Sequence, residues 1–184
     1  MKNTYEMTIA GLRRELQLFP VGGGVQIAAF ILFGDTEITE ASAAALLKRA
    51  PEHDIIFTAE CKSIPLAHEM ARQKGESYIV ARKGPKLYMK KVITTKVNSI
   101  TTEKEQILCL GEDDVNAIRG KRVLIVDDVI STGDSLKAME ALVEMAGGII
   151  VGKMAVLAEG EAAKRDDIIV LEPLPLFDEE GKPL

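Results

Sequence analysis

Residues 122–126 read Arg-Val-Leu-Ile-Val, and this apolar run meets two adjacent acids, Asp127 and Asp128, before Val129-Ile130 and the string Ser131-Thr132-Gly133-Asp134-Ser135. Apolar residues then recur at helical spacing, Leu136, Met139 and Leu142, in a segment that runs to about Met145 and closes at Gly147-Gly148. Four consecutive apolar residues suit a strand buried on both faces, so the order is strand, acid pair, small-residue loop, helix. Such a strand needs cover on each side, which places the chain among layered α/β folds.

The same alternation continues outward from this unit. Residues 54–57, 78–80 and the run beginning at 149–151 read as strands, 64–72 as a helix, and 92–100 with 106–110 as a hairpin. Residues 25–33 are apolar apart from Gln26 and read as a strand ended by Gly34-Asp35. Thr36 or Thr39 then caps a helix that passes through the alanines at 41 and 43–45 to Arg49, before Pro51. Tyr5, Met7 and Ile9 alternate as in a strand, whereas Leu12 and Leu16 share a helical spacing, which leaves the first segment open. Pro20 and Gly22-Gly23-Gly24 mark a loop. The expected fold class is α/β, a parallel twisted sheet flanked by helices, whose functional residues lie just beyond the carboxyl ends of the strands.

Composition narrows the function. At 184 residues, 47% hydrophobic and 28% charged, the chain is expected to be one soluble domain spanning 1–184. A net charge of −5 argues against a nucleic-acid partner, which would call for a broadly basic face. No apolar run approaches the ~18–20 residues that span a bilayer, and the N-terminus lacks the layout of a signal peptide, so no membrane partner and a cytoplasmic location are expected. Cys61 and Cys109 stand far apart without metal-ligand spacing, and His53 and His68 are the only histidines, which disfavours structural zinc and a Ser/His/Asp triad. Chemistry is left to carboxylates, backbone amides and cations.

A Ser/Thr/Gly loop at a helix N-terminus directs unpaired amides and hydroxyls at one point, with the positive end of the helix dipole behind them, which is a phosphate cup. Two carboxylates at the other end of the loop suit the hydroxyls of a vicinal diol, or a metal ion held by other ligands. The plainer alternative is an acid pair ending a strand and a hydroxyl capping a helix.

The complete string, VLIV-DD-VI-STG, resembles the 5-phosphoribosyl-1-pyrophosphate motif of the type I phosphoribosyltransferases, and most of the chain resembles the adenine phosphoribosyltransferases and their relatives. The resemblance implies that fold, with residues 1–35 contributing a small hood and a flexible hairpin arm beside the sheet. It assigns Ser131, Thr132, Gly133, Asp134 and Ser135 to the 5′-phosphate, and Asp127 and Asp128 to the ribose hydroxyls on the face where positive charge develops. Asp134 stands where the family most often has glycine; an outward pose would spare the phosphate its repulsion. Glu60, Cys61, Lys62 and Ser63 fall where the family has its pyrophosphate loop, usually Glu-Ala-Arg/Lys-Gly, and a strained peptide, often cis, is implied there. Cys61 reads as filler rather than nucleophile, and Ser63 either alters affinity or supplies a hydroxyl.

Arg82 and Lys83 match the family's basic pair before its catalytic loop. The stretch to Lys91, with Lys86, Tyr88 and Lys90, is either an arm that closes over the site or a solvated basic loop. Leu32 and Phe33 resemble the hood segment that receives the base, where Gly34 replaces a common arginine, although Phe30 and Phe33 also suit a core. Leu157 and Glu159 follow near where relatives contact the purine; Glu159 either accepts from an exocyclic amine or is a solvated turn residue. The implied reaction moves a phosphoribosyl group from 5-phosphoribosyl-1-pyrophosphate to a purine base, foremost adenine, with Mg2+ held mainly by substrate oxygens and a homodimer as the assembly. The rival readings are a xanthine or hypoxanthine phosphoribosyltransferase, a non-catalytic sensor of phosphoribosyl ligands, and, most distantly, a receiver-type domain using the acid pair.

Overall fold

The computed structural model describes residues 4–97 and 106–184. The unit at 122–145 organises it. Strand β8 (Arg122–Ile130) sits inside a parallel sheet of order β10-β9-β8-β4-β5, with β4 (Ile55–Ala59), β5 (Tyr78–Ala81), β9 (Ile149–Glu159) and β10 (Ile169–Leu174). Side chains of β8 alternate between two cores, as the pleat requires. Val123 and Ile125 join Leu136, Met139, Leu142 and Val143 of α4 (Asp134–Met145) and Ile118 of α3 (Glu112–Ile118). Leu124 and Val126 join Ile38 and Leu46 of α1 (Thr36–Leu47) with Leu66 and Met70 of α2 (Ile64–Lys74). The sheet is therefore covered on both faces, the reason its strands read as unbroken apolar runs.

A second, antiparallel sheet of β1 (Thr4–Ile9), β2 (Leu12–Gly22) and β3 (Val25–Ala29) forms the N-terminal layer. The helical spacing of Leu12 and Leu16 is a coincidence of numbering. Ala10 and Gly11, both at positive φ, turn the chain so that Leu12 faces Ile9 and Leu16 faces Tyr5 across the hairpin. Pro20 lies within β2 at a register shift that ends at Gly22, rather than in a loop. The apolar run 25–33 leaves the sheet at Ala29, yet still alternates, with Phe30 and Leu32 buried and Ile31 and Phe33 exposed. This layer is tied to the far end of the chain by Gln26, which pairs with Phe177, and by Tyr5, whose ring centroid lies 4.9 Å from that of Phe177.

The cap of α1 is neither expected threonine. Asp35 accepts the Ile38 amide at 3.2 Å and is gripped by Arg14 of β2, Nε at 2.6 Å and Nη2 at 2.9 Å, so the cap also pins the N-terminal sheet to the helix. The hairpin is formed by β6 (Ile93–Val97) and β7 (Gln106–Leu110); the end of the strand expected over 92–100 lies outside the described residues. Arg82 bridges Cys109 through two backbone bonds, which holds β7 beside the end of β5. The basic stretch from Arg82 is thus anchored at its start, and at its finish by an ion pair between Lys91 and Glu112.

Candidate functional site

The carboxyl ends of β4, β5 and β8 converge on one cleft of about 200 Å3, lined by Glu60, Cys61, Lys62, Ser63, Lys83, Asp127, Asp128 and Ser135, with Ala59, Val129, Ile107 and Leu108. Ile107 and Leu108 went unanticipated; the signal was the hairpin register, because a bridge from Arg82 to Cys109 carries the neighbouring residues to the cleft.

The acid pair lies inside β8, not beyond it, since ladder pairing continues from Asp127 opposite Ala155 to Ile130 opposite Ala158. Alternation turns the two acids to different surroundings. Asp128 is 4% exposed, and its Oδ2 has no hydrogen bond while standing 3.3 Å from Lys62 Nζ. Asp127 is half-buried and accepts the Asp128 amide at 3.0 Å. Burial, then the charge of Asp128, push the Asp127 carboxyl upward from its ordinary value. The pair is short of donors, which is the condition for taking hydroxyls from a ligand.

Glu60 lines the cleft and also ties two strand ends together. Its Oε1 lies 3.1 Å from Arg82 Nε and its Oε2 accepts the Lys83 amide at 2.8 Å, coupling the end of β4 to the end of β5. The Glu60–Cys61 peptide is cis, as the resemblance implied. Ser63 is 2% exposed, and its hydroxyl accepts from Thr58 Oγ1 at 2.7 Å and donates to the Ala59 carbonyl at 3.2 Å, so that hydroxyl is already satisfied within the fold. Lys62 and Lys83 supply the positive charge of the cleft.

At the start of α4, Gly133 takes φ +83°, a region open to glycine, and as the N-cap residue it offers no side chain to cap the helix. Ser131, Thr132 and Ser135 are exposed. The Asp134 carboxylate turns aside: Thr132 Oγ1 donates to it at 2.8 Å, and Lys137 Nζ lies 3.8 Å away. The Asp134 amide in turn donates to Thr132 Oγ1 at 3.4 Å, so the hydroxyl and the carboxylate are drawn together beside the turn.

The residues expected at a base lie apart from the acid cleft. Leu32 and Phe33 border a separate cavity of about 350 Å3 with Gly34, Thr36, Pro65 and His68, and both cavities abut the segment that leads from the end of β4 into α2. The Leu32 and Leu157 side chains are buried in the core, so only the backbone of those positions remains to meet a ligand. Phe33 is 52% exposed, and Glu159 is half-buried at the end of β9.

Such an arrangement can hold a polyanion against amides and cations while two carboxylates accept hydroxyls. A phosphoribosyl transferase domain model matches residues 35–177. Adenine phosphoribosyltransferase of Mycobacterium tuberculosis is 28% identical over 168 residues, covering 91% of this chain and 76% of that protein. That of Acetivibrio thermocellus is 31% identical over 150 residues, covering 79% of this chain and 84% of the other. Among solved structures, adenine phosphoribosyltransferase from Thermoanaerobacter pseudethanolicus superposes with a TM-score of 0.72 at 23% identity, over 86% of this chain and 95% of that one. The Saccharomyces cerevisiae enzyme, crystallised with adenine and an iminoaltritol bisphosphate, gives 0.69 at 19% identity over 92% and 93%. The matched span encloses Glu60 to Ser63, the basic pair, the acid pair and the glycine turn, and the chain belongs to the phosphoribosyl transferase domain family.

Proposed function

We propose that the chain transfers the phosphoribosyl group of 5-phosphoribosyl-1-pyrophosphate to adenine, releasing pyrophosphate and forming adenosine monophosphate. The observation that carries the reading is the buried Asp128 carboxylate with an unfilled acceptor, set beside Asp127 and one loop away from an open helix N-terminus. Adenine as the acceptor is supported by the names of the relatives at 28–31% identity.

Cleavage of the C1′–O bond leaves positive charge on the sugar and negative charge on the departing diphosphate, so placement and electrostatics do the work. The first-turn amides of α4 and the hydroxyls of Ser131, Thr132 and Ser135 hold the 5′-phosphate; binding draws Thr132 away from Asp134. Asp127 and Asp128 hold the ribose hydroxyls below the cationic carbon. Lys62 exchanges Asp128 for the diphosphate, and Lys83, whose amide is fixed by Glu60, meets the same group. Among the described residues no group of three or more His, Cys, Asp or Glu side chains is disposed to hold a metal unaided. The acid pair would face magnesium held mainly by diphosphate oxygens, and that ion would supply charge neutralisation to the leaving group. The N-terminal sheet with the segment to Asp35 serves as the hood for the base. A homodimer and a cytoplasmic location complete the reading; among the described residues no helix is long and apolar enough to cross a membrane.

The test is turnover by the purified chain with 5-phosphoribosyl-1-pyrophosphate and magnesium against adenine, hypoxanthine, xanthine and guanine, following pyrophosphate release. Adenine is expected to exceed the oxopurines by at least about tenfold in kcat/KM, as one set of mismatched hydrogen bonds would give. Preference for xanthine or hypoxanthine overturns the choice of base, and binding without turnover of any base leaves the sensor reading.

A further inference from the structure

The phosphate turn has a neighbour that the family string does not contain. Arg165, just after the 3-10 turn Gly160–Lys164, packs so closely on Gly133 that a β-carbon built there would lie 2.8 Å from its Nη1. The side chain is fixed in that place. Asp167 accepts Nε at 2.8 Å and Nη2 at 2.7 Å, while Lys153 of β9 reaches Asp167 at 2.5 Å and Glu140 of α4 at 2.8 Å. The chain of ion pairs is thus a closed loop: it leaves α4 at Glu140 and returns through Arg165 to Gly133, the residue that begins the same helix. Its two cations and two acids balance, and of the three guanidinium nitrogens only Nη1 donates no hydrogen bond among the described residues.

We infer that Arg165 is a positioning residue for the 5′-phosphate turn, bracing Gly133 through Nη1 and placing positive charge behind the phosphate of a phosphoribosyl ligand. The inference rests on the phosphoribosyl reading of the cleft. Electrostatics call for such a group here: the turn itself carries an acid, Asp134, next to where a dianion is to sit, and has no cation within residues 131–135. A planar guanidinium held bidentately by Asp167 is preorganised, so it loses little freedom when the phosphate arrives. The bonds from Arg165, then Lys153, hold the Asp167 carboxyl far below its usual range, and the brace persists at every pH at which the phosphate is charged.

Calorimetric titration of ribose 5-phosphate into the protein, with steady-state kinetics alongside, separates the possibilities. Arg165→Met keeps the bulk and removes the charge; it is expected to weaken ribose 5-phosphate by about tenfold and raise the KM for 5-phosphoribosyl-1-pyrophosphate equally, the worth of one charge-assisted contact. The KM for adenine and kcat should stay within about twofold, a split that general loosening of the fold would not produce. Arg165→Lys, which keeps the charge and loses the bidentate hold on Asp167, should recover part of the affinity. Unchanged ribose 5-phosphate binding by Arg165→Met overturns the inference, and so does an Arg165→Lys protein as weak as the Met variant. A wild-type protein that ignores ribose 5-phosphate altogether removes the phosphoribosyl reading first, an outcome distinct from the others.

Discussion

Asp127 and Asp128 line one cleft yet differ in circumstance, Asp128 buried beside Lys62 and Asp127 half-buried. Burial and the neighbouring charge raise the Asp127 carboxyl, and the consequence for stability has a definite sign. The unfolded chain gives up this proton near pH ~4 while the folded protein keeps it to higher pH, so the folded state binds more protons and stability falls as pH rises above that point. The melting temperature of the free protein should therefore decline from pH 5 to 8 more in wild type than in Asp127→Asn, as read by calorimetry on both. Asp128→Asn should keep the fold and lose about 10²-fold in kcat, the scale of one preorganised electrostatic contact, measured at saturating substrates. The acid pair was legible because two carboxylates after an apolar strand are costly without a ligand. The inward turn of the Ser63 hydroxyl and the pairing of Asp134 with Thr132 were not, since each depends on a partner whose direction only the folded backbone sets.

Elements were legible where local pattern and tertiary demand agree, as in β8 and α4, whose apolar positions are those the two cores use. They were illegible where pairing decides. The hairpin of β1 and β2 turns on Ala10-Gly11, and β10 is an edge strand that tolerates Pro173 because its outer side has no ladder to complete. The start of α1 shows the same tension: the threonines are good caps by type, but Arg14 makes Asp35 the better one. Asp35→Ala should cost about 1 kcal/mol through the cap and more through the lost ion pair, whereas Asp35→Asn keeps the cap and should cost less; urea denaturation of the two variants reads the difference. At the head of α4, Gly133→Ala forces a side chain into positive φ and toward Arg165. A loss of about 1–2 kcal/mol is expected by the same method, with weaker binding of 5-phosphoribosyl-1-pyrophosphate.

Across the whole molecule, parallel strands covered on both faces leave their carboxyl ends as the place where loops can converge on a ligand. Here that edge gathers Glu60 to Ser63, Lys83 and the acid pair into one cleft, while Leu32 and Phe33 border a neighbouring cavity. A parallel sheet with helices on both faces could be anticipated from the alternation of elements, but the separation of the two cavities could not, because it follows from how the N-terminal layer seats on α1 and α2. On the proposed reading the metal enters with its substrate, so chelation by EDTA should abolish turnover yet leave the melting temperature of the free protein unchanged within about 1 °C, less than a 1 kcal/mol effect would give. The central claim is that the turn between Val126 and Leu136 seats a ribose phosphate between amides and two acids. Titration of 5-phosphoribosyl-1-pyrophosphate with magnesium into wild type and into the double variant Asp127→Asn, Asp128→Asn measures it most directly. Saturable one-to-one binding that weakens by about tenfold or more in the folded double variant is the predicted result, and equal binding by the two proteins, or none by wild type, would contradict it.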